Sequence, residues 1–527
     1  MPKCCYRLSI LLLLLVSLTA TAEDSLVQQG CRRGTPRPFT RSAAVVRLPG
    51  GDFYKGDLHQ LVVLASFADR SFKDDEAQTL EQWDKIFNTE NLSEEPFFGS
   101  VRDYFAAQSY DQFQPVFDLE YVVVDSLAKY RSTKTDDENS QFLVDDIVDS
   151  LLKRDIDWSL YDWNGDGYIN QLLIIYAGKG SSYGSFGGGY DAIWPHQWWM
   201  SDHKDPETGV YRDPLVVTDY YGHDWFVDCY CAVQELASND SYGAFGTLCH
   251  EYSHCFGFPD FYGGGGTKFV GNWDLMDYGN YNGNGFHPCG YSAHERWIMD
   301  WLTPEELTTT ATITDMPALT DEGRAYLLRN DGYDQEYYIV ENRQQRGWDQ
   351  SLPGNGIVIF HVDFDPELWT SPYESANGGS VNHYEIFHAN NKTSTYESSN
   401  WGYPYQANDS LTNTSKPAAT LNNANIDGTK FMSKPITRMA VTDGLASFDV
   451  FIDTPSSILH LPSDFSHQSS VLYRLGPVTI VRDEKGRVHK IIARHSSPSL
   501  NSDTPKVFDV DPSPLTQNAG NAFVESP

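Results

Sequence analysis

The stretch His250-Glu251-Tyr252-Ser253-His254-Cys255-Phe256-Gly257-Phe258-Pro259-Asp260 decides how the chain is read. Two histidines four apart lie about one turn from each other on one face of a helix, so their imidazoles can reach a single metal ion. Glu251 stands where a carboxylate can take a proton from a water at that ion. Gly257 lets the chain leave the helix in a left-handed conformation closed to most residues. That turn can carry a third ligand, Asp260, back to the same ion. A bare HExxH arises by chance in many chains; the glycine and the acidic residue beyond it give this one its weight. Phe245, Leu248, Tyr252 and Phe256 supply apolar contacts at helical spacing, and Ser241 or Asp240 is the expected N-cap.

Gly271-Asn272-Trp273-Asp274-Leu275-Met276-Asp277-Tyr278-Gly279 forms a short turn whose one methionine lies sixteen residues beyond Asp260. The spacing HExxHxxGxxD followed by a methionine turn is the metzincin arrangement, with aspartate in place of the third histidine. In that arrangement Met276 is an apolar floor beneath the metal; otherwise it is an ordinary core residue. Tyr278, two residues on, can donate from its phenol to a tetrahedral oxyanion, or simply pack. The chemistry expected is that of a zinc endopeptidase acting on proteins or peptides, with Glu251 as general base and His250, His254 and Asp260 as zinc ligands.

The runs GTLCHEYSHCFGFPDFYGG (246–264), GNWDLMDYGNYNGNG (271–285) and GYSAHERWIMDWLTP (290–304) together resemble the immune inhibitor A family of secreted zinc metallopeptidases. LVVLASFAD (61–69), GSVRDYFAAQSYDQFQPVFD (99–118), DWNGDGYINQLLIIYAGKG (162–180), IWPH (193–196), EYYIVENRQQRGWDQSLPGNGIVIFHVD (336–363) and SFDVFID, ending at Asp453, agree with it. The resemblance runs from about residue 58 to about 453 and is greatest to the smaller, gut-anaerobe-type members. It implies the same three zinc ligands, Glu251 as base and Met276 in the methionine turn. It does not extend to Tyr278, which stands where many relatives have a small residue.

Residues 1–22 have basic Lys3 and Arg7, an apolar run from Leu8 to Leu18, and Ala20-Thr21-Ala22 before Glu23. That reads as a signal peptide, so the mature chain is expected to be secreted. No later segment approaches the ~18 apolar residues of a membrane span. With 38 basic against 72 acidic residues the net charge is −34, which argues against nucleic acid as a partner. Oligomeric state is not readable. After the signal peptide six cysteines remain: Cys31, Cys229, Cys231, Cys249, Cys255 and Cys289. Cys249 and Cys255, six apart on one helix, have Cα atoms ~9 Å apart and cannot bridge each other; pairing with the others stays open. Cys31, beside Arg32 and Arg33, is either a zymogen-switch thiolate at the zinc or an unremarkable cysteine.

The expected fold class is α+β: a metzincin-like α/β catalytic domain over 58–302, then a β-sandwich-like domain over 303–454. A short propeptide or leader occupies 23–57, and a polar, partly disordered tail 455–527. Leu61–Phe67 and Leu172–Tyr176 read as buried strands, and Ser100–Gln108 and Phe142–Leu152 as helices. Short alternating runs from 308 to 452, among them Ala325–Arg329, Glu336–Glu341 and Gly356–Val362, supply the second domain. In the tail, Ser470–Val481 and Val488–Ala493 read as a strand pair. Asp162, Asn164 and Asp166, with Gly167 at the sixth position, resemble a calcium loop that lacks its twelfth-position glutamate, Leu173 standing there. Asp155, Asp157 or Asn170 could complete the shell; the alternative is a plain Asx turn. Glu341, His361 and Asp363 read as structural polar contacts. The competing functional reading is a catalytically inactive relative acting as a calcium- or glycan-binding surface module.

Overall fold

The computed structural model describes residues 54–452, apart from 132–138, 184–191, 237–239, 243–244, 263–269, 370–374 and 393–394. Beyond these it describes the strands between 470 and 509. The expected signal peptide, the leader through residue 53 and Cys31 lie outside the described residues.

The architecture is mixed α and β. The first sheet has the order β2-β1-β4-β8-β5. Its strands are β1 (Gly56–Phe67), β2 (Phe113–Val124), β4 (Leu172–Lys179), β5 (His196–Trp199) and β8 (Cys229–Leu236). The first four in that order run parallel, and β5 closes one edge antiparallel to β8. From Leu61 on β1 is entirely buried, and so is β4 as far as Gly178, as expected of strands covered on both faces. A small sheet β3-β7-β6 (Tyr168–Ile169, Asp224–Val227, Leu215–Thr218) lies beside the Asp162 loop. The main helices are α1 (Glu76–Asn88), α2 (Val101–Gln108), α4 (Ser140–Leu151) and α5 (Phe245–Cys255); α3 (Leu127–Tyr130) is one turn. Ser100 and Asp103 cap α2 reciprocally, which fixes its start where the sequence placed it.

Beyond residue 303 a second five-stranded sheet, order β14-β13-β12-β11-β9, is built from β9 (Glu305–Glu306), β11 (Ala325–Arg329), β12 (Glu336–Arg343), β13 (Gly356–Asp363) and β14 (Tyr384–Ile386). A three-stranded sheet, β10-β16-β15, joins Ala311–Met316, Leu445–Val450 and Ile436–Thr442. Alternation along the five-stranded sheet separates two cores. Leu327, Tyr337, Ile339, Val358, Phe360 and Tyr384 belong to the apolar cluster that also holds β1, β4 and α5. Leu328, Tyr338, Val340, Ile357 and Ile359 face the other way, onto Met316, Ile436 and Phe448 of the three-stranded sheet. The apolar core therefore runs on across residue 303. Short helices α6 (Ala293–Ile298), α7 (Leu319–Glu322) and α8 (Pro366–Trp369) fill the junctions.

In the tail, four strands form an antiparallel sheet: β17 (Ser470–Leu475), β18 (Val478–Asp483), β19 (Val488–Ala493) and β20 (Lys506–Asp509). The single run expected from Ser470 to Val481 is two strands, because Gly476-Pro477 interrupts it. Among the described residues no helix is long and apolar enough to cross a membrane.

Candidate metal centre

Helix α5 carries the histidines on its buried side. Its described part begins at Phe245; of the two expected N-cap residues, Asp240 pairs through its carboxylate with Lys179 at 2.8 Å. The helix is seated by close approach: a Cβ on Gly246 would lie 1.9 Å from the carbonyl oxygen of Asn280. After Cys255 the chain turns at Gly257, whose φ of +102° only glycine adopts without strain. The turn brings Asp260 back over the helix, as the spacing requires.

His250 and His254 are buried, with rings 4.7 Å apart. Each Nδ1 is tied to a backbone carbonyl, His250 to Leu275 at 2.8 Å and His254 to Phe258 at 2.7 Å. Carbonyls only accept, so both Nδ1 atoms carry the proton and both Nε2 atoms present lone pairs. Those two Nε2 atoms each lie 3.3 Å from Asp260 Oδ1. None of the three atoms is satisfied by a hydrogen bond in this geometry, although all are buried. Among the described residues this is the one group of His, Cys, Asp or Glu ligand atoms that converges within 4.8 Å. Two imidazole nitrogens and a carboxylate oxygen aimed at one point are the donor set of a zinc site with open positions.

The electrostatics agree. Burial alone would lower His250, but Asp260 and Glu251 beside it push it up to about 9. Burial alone would raise Asp260, yet the two imidazoles hold it down to about 2. Both shifts mark a pocket that attracts positive charge. Glu251 is fully buried on the same helix, close enough for its charge to act on His250.

The methionine turn works through its backbone as much as through its side chain. Met276 is buried; its carbonyl accepts from Phe261 N at 2.9 Å, and the carbonyl of Leu275 is the one that fixes His250. Sequence reasoning did not single out the two acids of this turn. Burial raises Asp274 to about 6, although Oδ1 accepts from Met276 N at 2.8 Å and Oδ2 from Tyr384 at 3.0 Å. Burial raises Asp277 to about 7, with Oδ2 accepting from Gly271 N at 2.7 Å. Tyr278 opens the following 3₁₀ segment, Tyr278–Gly285, half-buried with its ring 6.5 Å from that of Tyr281.

The remaining candidates lie apart from this group. Asp162 Oδ1 and Oδ2 accept from Asp166 N (3.0 Å) and Gly167 N (2.9 Å), and Asp166 Oδ1 accepts from Tyr168 N (2.9 Å). Asn164 donates to Asp166 Oδ2 at 3.0 Å, and Asn170 Oδ1 accepts from Trp163 N at 2.7 Å, so these side chains close an Asx-type turn. Cys229, Cys231, Cys249, Cys255 and Cys289 are free thiols. Glu341 pairs with Arg343 at 3.0 Å, and His361 lies between Glu336 (2.7 Å) and Glu385 (3.1 Å). Asp363 accepts from Asn422 and Asn423, each at 3.0 Å.

Comparison with known proteins places this geometry. Residues 60–303 match the family described as immune inhibitor A peptidase M6, catalytic domain. Immune inhibitor A of Bacillus thuringiensis subsp. alesti is 30% identical over 176 residues, covering 29% of this chain and 24% of that protein. The pre-pro-metalloprotease PrtV of Vibrio cholerae serotype O1 (strain M66-2) is 25% identical over 258 residues, covering 40% of this chain and 25% of that protein. The chain thus spans about a quarter of the length of the curated relatives it matches. Residues 60–303, which bring the two histidines and Asp260 together, thus match the catalytic domain of the immune inhibitor A peptidase family.

Proposed function

We propose that the protein is a secreted, zinc-dependent endopeptidase of metzincin-like design. The observation that carries the reading is the convergence of His250 Nε2, His254 Nε2 and Asp260 Oδ1, buried and with both imidazole tautomers fixed. These three residues would hold a zinc ion, which would supply Lewis acidity to a peptide carbonyl and acidify a water. Glu251 takes the proton of the attacking water on its carboxylate and returns it to the leaving amine. Leu275 and Phe258, through their carbonyls, hold a proton on each Nδ1 and keep each Nε2 aimed at the site. The buried floor at Met276 excludes bulk water from the ligand side of the site. Tyr278 is the proposed oxyanion donor, to be tested as Tyr278→Phe. A calcium ion at Asp162, Asn164 and Asp166 would compete with the hydrogen bonds that now close that turn, so that loop is a subsidiary part of the proposal.

The test is casein cleavage and metal content of the wild type beside Glu251→Ala and Asp260→Ala. One zinc per chain, with cleavage lost by a factor of about 10² or more in Glu251→Ala while zinc stays bound, is the expected result. A folded wild type that binds no zinc would refute the reading and promote the binding-module alternative.

A further inference from the structure

Within residues 60–303 the Tyr262 hydroxyl donates to Asp260 Oδ2 at 2.7 Å, but the backbone that carries Asp260 is anchored in part from outside that segment. His250 and His254 are fixed by a helix. Asp260 is not: it follows the Gly257 turn on an irregular segment. Its backbone carbonyl accepts from Ala376 N at 3.1 Å, and the next carbonyl, Phe261, accepts from Asn377 Nδ2 at 2.7 Å. Asn377 ties this contact to β14: Nδ2 also donates to the Tyr384 carbonyl at 2.6 Å, and Oδ1 accepts from Tyr384 N at 2.9 Å. The Tyr384 ring lies against Phe261 with centroids 4.0 Å apart, and its hydroxyl donates to Asp274 Oδ2 at 3.0 Å. Asp274 holds Met276 N, and the Met276 carbonyl holds Phe261 N. The contacts form a closed ring: Asp260–Phe261, Asn377, Tyr384, Asp274, Met276 and back to Phe261. Asn377, Tyr384 and Asp274 are all buried, so water cannot substitute for a lost contact without cost.

We propose that Asn377 and Tyr384, from the β-rich half, are positioning residues for the metal. They set where the Asp260 carboxylate stands relative to the two imidazoles, and so tune metal affinity from outside the catalytic segment. The inference rests on His250, His254 and Asp260 being the metal ligands. Side chains that orient a ligand from behind typically change metal affinity tenfold to a hundredfold when removed.

The test is zinc titration of the full chain against a chromophoric chelator. Tyr384→Phe removes only a hydroxyl, and Asn377→Asp keeps the shape and loses the amide donor. Tyr338→Phe is the control, because its equally buried hydroxyl bonds to the Thr420 carbonyl at 2.6 Å on the other face of the sheet. The expected result is about tenfold or more weaker zinc binding in both strap variants and none in the control. In an Asp260→Ala background Asn377→Asp should weaken zinc no further, since Asn377 bonds to the Asp260–Phe261 segment, whereas Tyr384 also reaches the turn that fixes His250. Should Asn377→Asp fail to fold, Tyr384→Phe, which keeps its ring in place, carries the test alone. Wild-type zinc affinity in a folded strap variant overturns the proposal, even where its melting temperature has dropped. Equal weakening by Asn377→Asp with and without Asp260 overturns it too. A wild type that binds no zinc removes the ligand reading, and the proposal with it.

Discussion

Replacing His361 by glutamine asks how much one buried imidazolium contributes. His361 Nε2 lies 2.7 Å from Glu336 and Nδ1 lies 3.1 Å from Glu385, with all three groups buried. Burial by itself lowers the imidazole pKa, but the two carboxylates overcome it and hold His361 at about 9. A histidine raised from about 6.5 to about 9 contributes roughly 3 kcal/mol, since each pKa unit is worth 1.36 kcal/mol. The sign follows from the direction. A folded-state value above the unfolded one means that the contribution is complete below about pH 6.5 and is lost as pH rises through about 9. The lowered carboxyl of Glu336 is the other side of the same attraction and adds nothing separate. Urea denaturation of both proteins, stripped of metal so that the ligand histidines cancel, reads the effect between pH 6.5 and 10. The stability lead of the wild type over His361→Gln should shrink by roughly 3 kcal/mol across that interval. A lead that stays constant from pH 6.5 to 10 would refute a charged His361. The site has a stake in the result, because Glu385 anchors the strand whose neighbouring residue, Tyr384, points to Asp274.

Three further outcomes follow from geometry already described. Arg343→Leu strands Glu341 and Asp349, which the guanidinium holds at 3.0 and 2.7 Å, and should cost about 3–5 kcal/mol in a denaturation assay. That deficit should narrow toward acid pH, because Glu341, already raised by burial, then protonates. Gly246→Ala drives a methyl group to 1.9 Å from the Asn280 carbonyl, so α5 must shift; a lower melting temperature and weaker zinc binding are expected together. Removing zinc with a chelator should lower stability by about 4 kcal/mol when the ion had been present at a thousand times its Kd, and identical melting curves with and without chelator would count against the site.

The geometry of the candidate metal centre was legible in the sequence because its information is local: within eleven residues, helical period places two candidate ligands and a glycine turn the third. β11 and β13 were legible for a similar reason, each being a short apolar run bounded by turn residues. β2 was not. Its sequence, FQPVFDLEYVVV, carries Pro115, Asp118 and Glu120, which read as breakers. It lies at the sheet edge, where such residues are tolerated: Asp118 reaches His59 at 2.8 Å, and Glu120 pairs with Arg154. β8 hid for the opposite reason, since Gln234 and Glu235 interrupt its apolar pattern although the strand is buried; Glu235 is satisfied by Lys73 N and Gly178 N. Asn377 and Tyr384 carried no signal at all. Their partners at 261 and 274 are more than a hundred residues away, and no periodicity links an asparagine in a loop to a carbonyl at that distance.

The five-stranded sheet with a core on each face sets a timetable for synthesis. Ribosomes release the histidine helix well before β11 to β14 exist, and at that moment Phe261, Met276 and the Asp260 carbonyl lack the surfaces that cover them. Domains generally fold as units while the chain emerges. Here the first core cannot close until Trp401 has been made, nor the second until Val450. A chain halted between residue 303 and Tyr384 therefore holds all three candidate ligands without the contacts that complete their surroundings, which delays assembly of the candidate centre until most of the polypeptide has left the ribosome.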